Sequence, residues 1–415
     1  QRQMCIRDSS YIIDEGVGCE ACHGPGSEYQ FEAVMLDSRA ARQAGLQSPD
    51  EETCRKCHEN AHGKTFEYQQ SVASIAHPTD KLEVAESVRY KTPLNLAISP
   101  DSKEMYVACE ASDSVIVIDV ASQSKIDEIP VGGQPHDVTF SPDGRLAYVS
   151  NRLDDSVSVI DVRSRKVIRT APVGDEPHGV LTDPTGRTLY VLNTSEDSIS
   201  LLDTATMKEI KRLQASRAPW SLAMSPDGRT IHITNTLSRL VEFRKPSISE
   251  ITILDVKRGI VTNRLEVEGG NLLQGIAWHP SGEFAFFTHT RTKNLVPMTR
   301  LLQGWTITNG IGVVWKDGTV DQLLLDESHL AFPDPADVTF TPDGKLALVT
   351  SSGSNRVAVV DVDRLIGMLK SATPKERREI IPNHLGKATD FVIKSINTEH
   401  SPRGILVTPD GKTAF

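Results

Sequence analysis

The stretch PHDVTFSPDGRLAYVSNRLDDSVSVIDVRSRKVIRTAPVG, residues 135–174, holds one full structural unit of this chain. It reads as an alternating strand from His136 to Ser141, a turn at Asp143-Gly144 and a strand from Leu146 to Ser150. A polar loop follows, then a strongly alternating strand from Ser156 to Val162 and a last strand from Lys166 to Val173. Apolar and polar residues that alternate with period two mark a strand with one face buried. Asp-Gly favours a type I′ turn, whose twist suits the antiparallel strands it joins, and it recurs at Asp227-Gly228, Asp343-Gly344 and Asp410-Gly411. Working outward, Pro93, Pro135, Pro177 and Pro219 stand 42 residues apart, and Pro100, Pro142, Pro184 and Pro226 keep the same step. Four antiparallel strands repeated every ~40 residues form the blades of a β-propeller.

The turn prolines give seven units, at Pro100, Pro142, Pro184, Pro226, Pro280, Pro342 and Pro409, and the seventh stops at Phe415 within its second strand. The expectation is an all-β propeller over residues 81–415, of about seven four-stranded blades with the last one truncated, in which Lys81 to Tyr90 could add an outer strand. Units four to six carry extra residues at Arg239 to Glu250, Arg291 to Ile311 and Leu365 to His400. Insertions that spare the repeat are expected in loops on the rims of the disc. The fifth gathers His289, Arg291, Lys293, Arg300 and Trp305, a basic and aromatic group that reads either as a solvated loop or as a docking point for a haem domain or small anion. His136 and His178 take the same place in successive units, but the other units offer Asn95, Ser221, Asp337 and Gly404 there. Such a ring is no metal shell, and the two histidines read as strand-start residues. Cys109, inside a strand, reads as a buried inert thiol.

The repeat resembles the YVTN family of propellers, with Tyr106-Val-Ala-Cys109, Tyr148-Val-Ser-Asn151, Tyr190-Val-Leu-Asn193 and His232-Ile-Thr-Asn235 at the place of its signature. The fifth insertion, with Gln303-Gly-Trp305 and Thr308-Asn309, is similar to one in YVTN-type propellers that precede a dihaem, peroxidase-like cytochrome domain. That resemblance implies such a C-terminal domain in a longer parent chain.

The head of the chain has a different chemistry. Cys19-x-x-Cys22-His23 and Cys54-x-x-Cys57-His58 have the spacing at which two thiols add across the vinyl groups of one haem while the next residue ligates its iron. Four of the six cysteines are used in this way. A zinc site has no need of a histidine directly after each second cysteine, and a redox dithiol has no need of two copies. The expectation is two c-type haems, attached through Cys19, Cys22, Cys54 and Cys57 and ligated by His23 and His58. Candidate distal ligands are His77, in Ile-Ala-His-Pro, and His62, which stands too close to His58 to reach across the same haem. Helices are expected from Ser27 to Gln43, with Ser27 as N-cap, and from Thr65 to Ile75.

Residues 11–80 resemble the multihaem cytochromes c in Cys19 to Ser27, Cys54 to His58, Phe66 to Tyr68 and the later His77. They depart at Tyr29, where relatives often carry a histidine, and this leaves one distal ligand unassigned. The resemblance implies a small, mainly α, haem-binding cytochrome c domain ahead of the propeller, and further haem sites upstream in a parent chain. Residues 1–10 match nothing downstream and read as a non-native leader. Covalent haem places the protein in a bacterial periplasm or outside the cell, although no signal peptide is visible. A formal charge of −10 argues against nucleic acid as a partner and favours basic redox proteins, and no apolar run is long enough to span a bilayer.

These readings lead first to electron transfer by an extracytoplasmic cytochrome with a propeller platform. The alternatives are a haem oxidoreductase acting on a small nitrogen or oxygen compound, or peroxidase-like, and a binding module in which the propeller does the work. Whether the chain is itself an enzyme is left open by the sequence. Fold alone does not choose between these functions.

Overall fold

The computed structural model describes residues 42–44, 46–47, 50–58, 68, 91–242, 245–292 and 306–415. The chain divides into two units, Gln1–Val88 and Arg89–Phe415, a boundary later than the expected residue 80.

In the first unit the described helix is α1, Glu51–His58. Asp50 caps it, accepting from Thr53 N at 2.8 Å and Thr53 Oγ1 at 2.7 Å, and Glu51 and Glu52 place negative charge in the first turn. Glu51 also pairs with Arg55 one turn on. Of the two expected helices, Arg42 and Gln43 are helical before a turn at Ala44, and Tyr68 is helical; the remainder lies outside the described residues, as do Cys19, Cys22, His23, His62 and His77.

The second unit is an all-β propeller. Six antiparallel sheets are described, five with four strands and the fifth with five. The second is typical, with strands Pro135–Phe140, Leu146–Asn151, Ser156–Asp161 and Lys166–Pro172, each within a residue or so of the sequence expectation. The first strands of successive blades lie side by side around a common axis, and the fourth strand of each blade is the outer one, largely exposed in the second and third blades but buried in the fifth. The core is a series of interblade layers, such as Tyr148, Val157, Val159, Val180, Leu189 and Met207. After six sheets the seventh unit begins as a narrow hairpin in which Leu406 N donates to Phe415 O at 3.1 Å. Its first segment closes the ring, with Gly404 N donating to Leu94 O of the first blade at 2.7 Å.

The hairpin turn is not type I′. Gly144 N donates to Ser141 O at 2.9 Å, so the turn starts one residue earlier, with Pro142 and Asp143 at its centre, and φ is positive only at Gly144, +69°. Proline fixes the negative φ of the first central position, and the glycine takes the left-handed position after the turn. These glycines also step around the disc: Gly144 rests on Pro100, Gly186 on Pro142, Gly228 on Pro184 and Gly411 on Pro342.

The insertion in the sixth unit is not a rim loop throughout. It forms α2, Val362–Ser371, whose Val362, Leu365, Ile366 and Leu369 enter the hydrophobic core, and it ends in Val392–Asn397, which is the fourth strand of that blade. A sequence window that expects four strands in ~40 residues assigns this distant strand to the insertion. The fifth blade differs because its first strand is broken into Gly270–Asn271 and Ile276–Trp278.

Candidate functional site

Two places carry chemistry. On α1, positions 54, 57 and 58 stand at i, i+3 and i+4, which is one face of an α-helix. A helix thus presents the second Cys-x-x-Cys-His motif as a unit. The first motif and both candidate distal ligands lie outside the described residues.

The second place is the mouth of the propeller axis. Because the first strands of neighbouring blades lie side by side, residues at the same repeat position meet there. His136 and His178, both 4% exposed, stand edge to face with ring centroids 4.5 Å apart, and Trp220 of the next blade lies against His178 at 3.7 Å. His136 Nε2 faces Glu110 Oε1 at 3.2 Å. Burial holds both imidazoles below the usual histidine range, His178 well below, and Glu110 offsets part of this for His136. Neither Nδ1 has a partner among the described residues. Around them Arg152 pairs with Glu176 at 3.0 Å, and Arg403 lies 3.7 Å from Asp334, which also accepts from Gln274 Nε2 at 3.1 Å. The mouth encloses about 210 Å³, lined by Glu110, His136, Arg152, His178, Trp220 and Arg403 among others.

Two carboxylates line the adjoining part of the channel, and one of them, Asp337, also borders the mouth. Asp137 accepts from Val138 N at 2.9 Å and from Val180 N of the next blade at 2.9 Å. Asp337 repeats this arrangement with Val338 N at 2.8 Å and Ile405 N at 3.0 Å. Each spans the seam between two blades, and enclosure pushes the carboxyl of Asp137 up to about 6 and that of Asp337 to about 7, despite these bonds. The site holds neutral imidazoles, an indole and protonatable carboxyls, a set that binds a small polar molecule or passes a proton. Among the described residues no group of three or more His, Cys, Asp and Glu is placed to hold a metal ion.

The histidines read as strand-start residues are therefore in mutual contact. Glu110, Trp220, Arg152 and Arg403 were missed; their signal was only position, Trp220 and Arg403 beside first-strand starts and Glu110 and Arg152 directly after second strands. In the fifth unit the expected basic group is divided. His289 is fully buried in the strand Phe284–Thr292 and burial pushes it down to about 3, so it adds no positive charge. Arg291 is held by Glu268 O at 2.7 Å and Gln322 Oε1 at 2.9 Å, while Lys293, Arg300 and Trp305 lie outside the described residues. Cys109 is fully buried, with its thiol pushed up to about 11, as an inert core residue should be.

The fold and its axial mouth define a β-propeller protein. Residues 65–218 match the seven-bladed β-propeller lactonase family and residues 184–265 match the YNCE-like β-propeller family. The chain is 28% identical over 168 residues to hydrazine synthase subunit beta of Kuenenia stuttgartiensis, covering 40% of this chain and 43% of that protein. It therefore spans less than half the length of this curated relative. Among solved structures, Kuenenia stuttgartiensis hydrazine synthase superposes with a TM-score of 0.73 at 26% identity, over 78% of this chain and 92% of that one. No helix among the described residues is long and apolar enough to cross a membrane.

Proposed function

We propose that the chain is the propeller platform of an extracytoplasmic, multi-subunit redox protein, with two c-type haems attached to its N-terminal unit. The observation that carries this reading is α1, which sets positions 54, 57 and 58 on one helical face, a donor set that fits a covalent haem. Cys54 and Cys57 would take the vinyl groups and His58 the iron; Cys19, Cys22 and His23 would do the same for the second haem, with His77 or His62 as distal ligands. The group supplies a one-electron couple, and the protein sets its ligands, burial and docking face. The similarity to a protein named as one subunit of an enzyme supports a role beside other subunits, with the propeller giving the rigid surface on which they assemble. The acidic charge of the chain favours basic redox partners.

The axial mouth favours a second reading, a propeller that itself binds a small polar molecule, with the haems as accessories. One experiment separates them. The full chain is produced with haem-maturation machinery, its haem is counted by pyridine haemochrome and intact mass, and its spectrum is recorded with and without carbon monoxide. Two low-spin haems, falling to one in Cys54→Ser/Cys57→Ser, support the electron-transfer platform. A haem that binds carbon monoxide moves the reading to a haem oxidoreductase, and absence of covalent haem overturns it.

A further inference from the structure

The blades are close copies, so a place where one blade lacks what the others carry can be read by subtraction. On the face of the disc that bears the Pro-Gly turns, the wedge between adjacent blades is filled in two ways. The second strand of the earlier blade contributes a tyrosine: Tyr106, Tyr148 and Tyr190 are 0–2% exposed. The later blade contributes the left-handed residue at the turn between its third and fourth strands. In the second blade this is Arg165 (φ 52°), which reaches back to Glu104 of the first blade at 2.6 Å. In the third it is Met207 (φ 54°), 5% exposed and packed in the layer that holds Tyr148. In the fourth it is Gly259, where a Cβ would meet Leu201 at 3.6 Å, with Tyr190 in the same layer as Leu201.

Between the fourth and fifth blades both fillers are reduced. His232 stands in the tyrosine register, paired with Ala223 as Tyr106 is paired with Ala97. The turn of the fifth blade closes a residue earlier, at Gly318, whose N donates to Trp315 O, whereas Arg165 N donates to a residue four back. A Cβ at Gly318 would meet Leu265 at 3.5 Å and nothing else within 4 Å. What remains is a cleft of about 710 Å³, within the range of small-molecule sites. Its walls are aromatic and aliphatic, from Trp278, Trp315, Ile253 and Leu265. Trp315 is fixed by its own Nε1, which donates to Asp321 at 2.6 Å.

Two residues of the lining, His232 and Trp278, each carry a buried nitrogen, Nδ1 and Nε1, without a partner among the described residues, on rings whose centroids are 4.5 Å apart. A buried polar group in this state costs stability until something satisfies it. At the mouth Asp227 and Asp317 balance Arg229 and Lys316, so the cleft selects no net charge. The geometry points to a binding site for a neutral aromatic hydroxyl compound, a phenol, in the wedge between the fourth and fifth blades. The ring occupies the space that the absent tyrosine and turn side chain leave, and its hydroxyl accepts from Trp278 Nε1 and donates to His232 Nδ1. The site lies on the face opposite the axial mouth and is independent of the haem reading.

The test is calorimetric titration of the full chain with p-cresol, which carries the tyrosine side chain that fills the other wedges, and with toluene, which lacks its hydroxyl. Saturable binding of p-cresol is expected, with the Trp278→Phe variant weaker by about tenfold, the value of one lost hydrogen bond, and toluene, which loses both, weaker still. His232→Tyr restores the repeat residue and should abolish binding while its melting temperature is equal to or above that of the parent, which separates a filled site from a misfolded one. No saturable binding of p-cresol, equal affinity for toluene, or unchanged binding in His232→Tyr would each overturn the assignment.

Discussion

The imidazole of His178 lies on the indole of Trp220 with ring centroids 3.7 Å apart and planes 30° apart, and this stack forms one wall of the axial mouth. A protonated His178 would sit beside His136 with both rings buried, so the folded state keeps it neutral. The unfolded chain takes up the proton near its ordinary pKa of ~6.5, so stability is full above that pH and is lost as the pH falls below it. The urea midpoint should fall between about pH 7 and about pH 5, and His178→Phe should flatten part of that fall. An unchanged slope in the variant would show that this contact does not govern acid lability.

Asp337 behaves in the opposite sense. Its folded pKa of about 7 lies above its unfolded value, so its contribution is full below the unfolded value and is lost as the pH rises through 7. Asp337→Asn cannot ionise, so its stability relative to the parent should increase between about pH 5 and about pH 8. Paired urea titrations across that range measure the difference directly.

Asn193 is fully buried and ties its strand to the next strand of the blade and to the link from the preceding blade. Its Nδ2 donates to Ser198 and Ser200 at 2.9 Å each, and its Oδ1 accepts from Gly174 N at 3.1 Å. Asn193→Ala takes the acceptor from Gly174 N and one donor from each serine, and should cost about 2 kcal/mol. Denaturant unfolding of the variant gives the value.

Arg377, in the sixth-unit insertion, makes a short bidentate pair with Asp321, a residue 5% exposed on the fourth strand of the fifth blade. Arg377→Ala leaves that carboxylate with Trp315 Nε1 as its remaining side-chain donor, and a loss of about 2 kcal/mol is expected. Asp321→Asn in the same background should recover part of it, which a double-mutant cycle detects.

The propeller was legible because every blade solves the same local problem with the same residues. Pro142 and Gly144 mark a turn wherever the strands flank them, although the proline moved the turn one residue earlier than Asp-Gly alone suggests. The cap of α1 was written in Asp50, Glu51 and Glu52 but went unread beside the cysteines that follow. What the sequence hides is adjacency across repeats. Nothing local to Glu110, His136 or Trp220 says that they share an axis; it follows only when the first strands of successive blades are placed side by side. The wedge at His232 was hidden for another reason, because it shows only when His232 and Gly318 are set against the tyrosines and turn residues of the other blades.

The steps of Gly144 on Pro100, Gly186 on Pro142 and Gly228 on Pro184 all run from a later blade to an earlier one. In kinetic terms this gives assembly a direction. As the chain leaves the ribosome, each new blade meets a seat that is already made, and most contacts stay within neighbouring repeats, where loop closure costs little entropy. The long-range step is the closure of Gly404 on Leu94, which joins the last segment of the ring to the first. Folding should therefore be fast blade by blade and slow at that seam, and the seam is where a partly assembled ring would open.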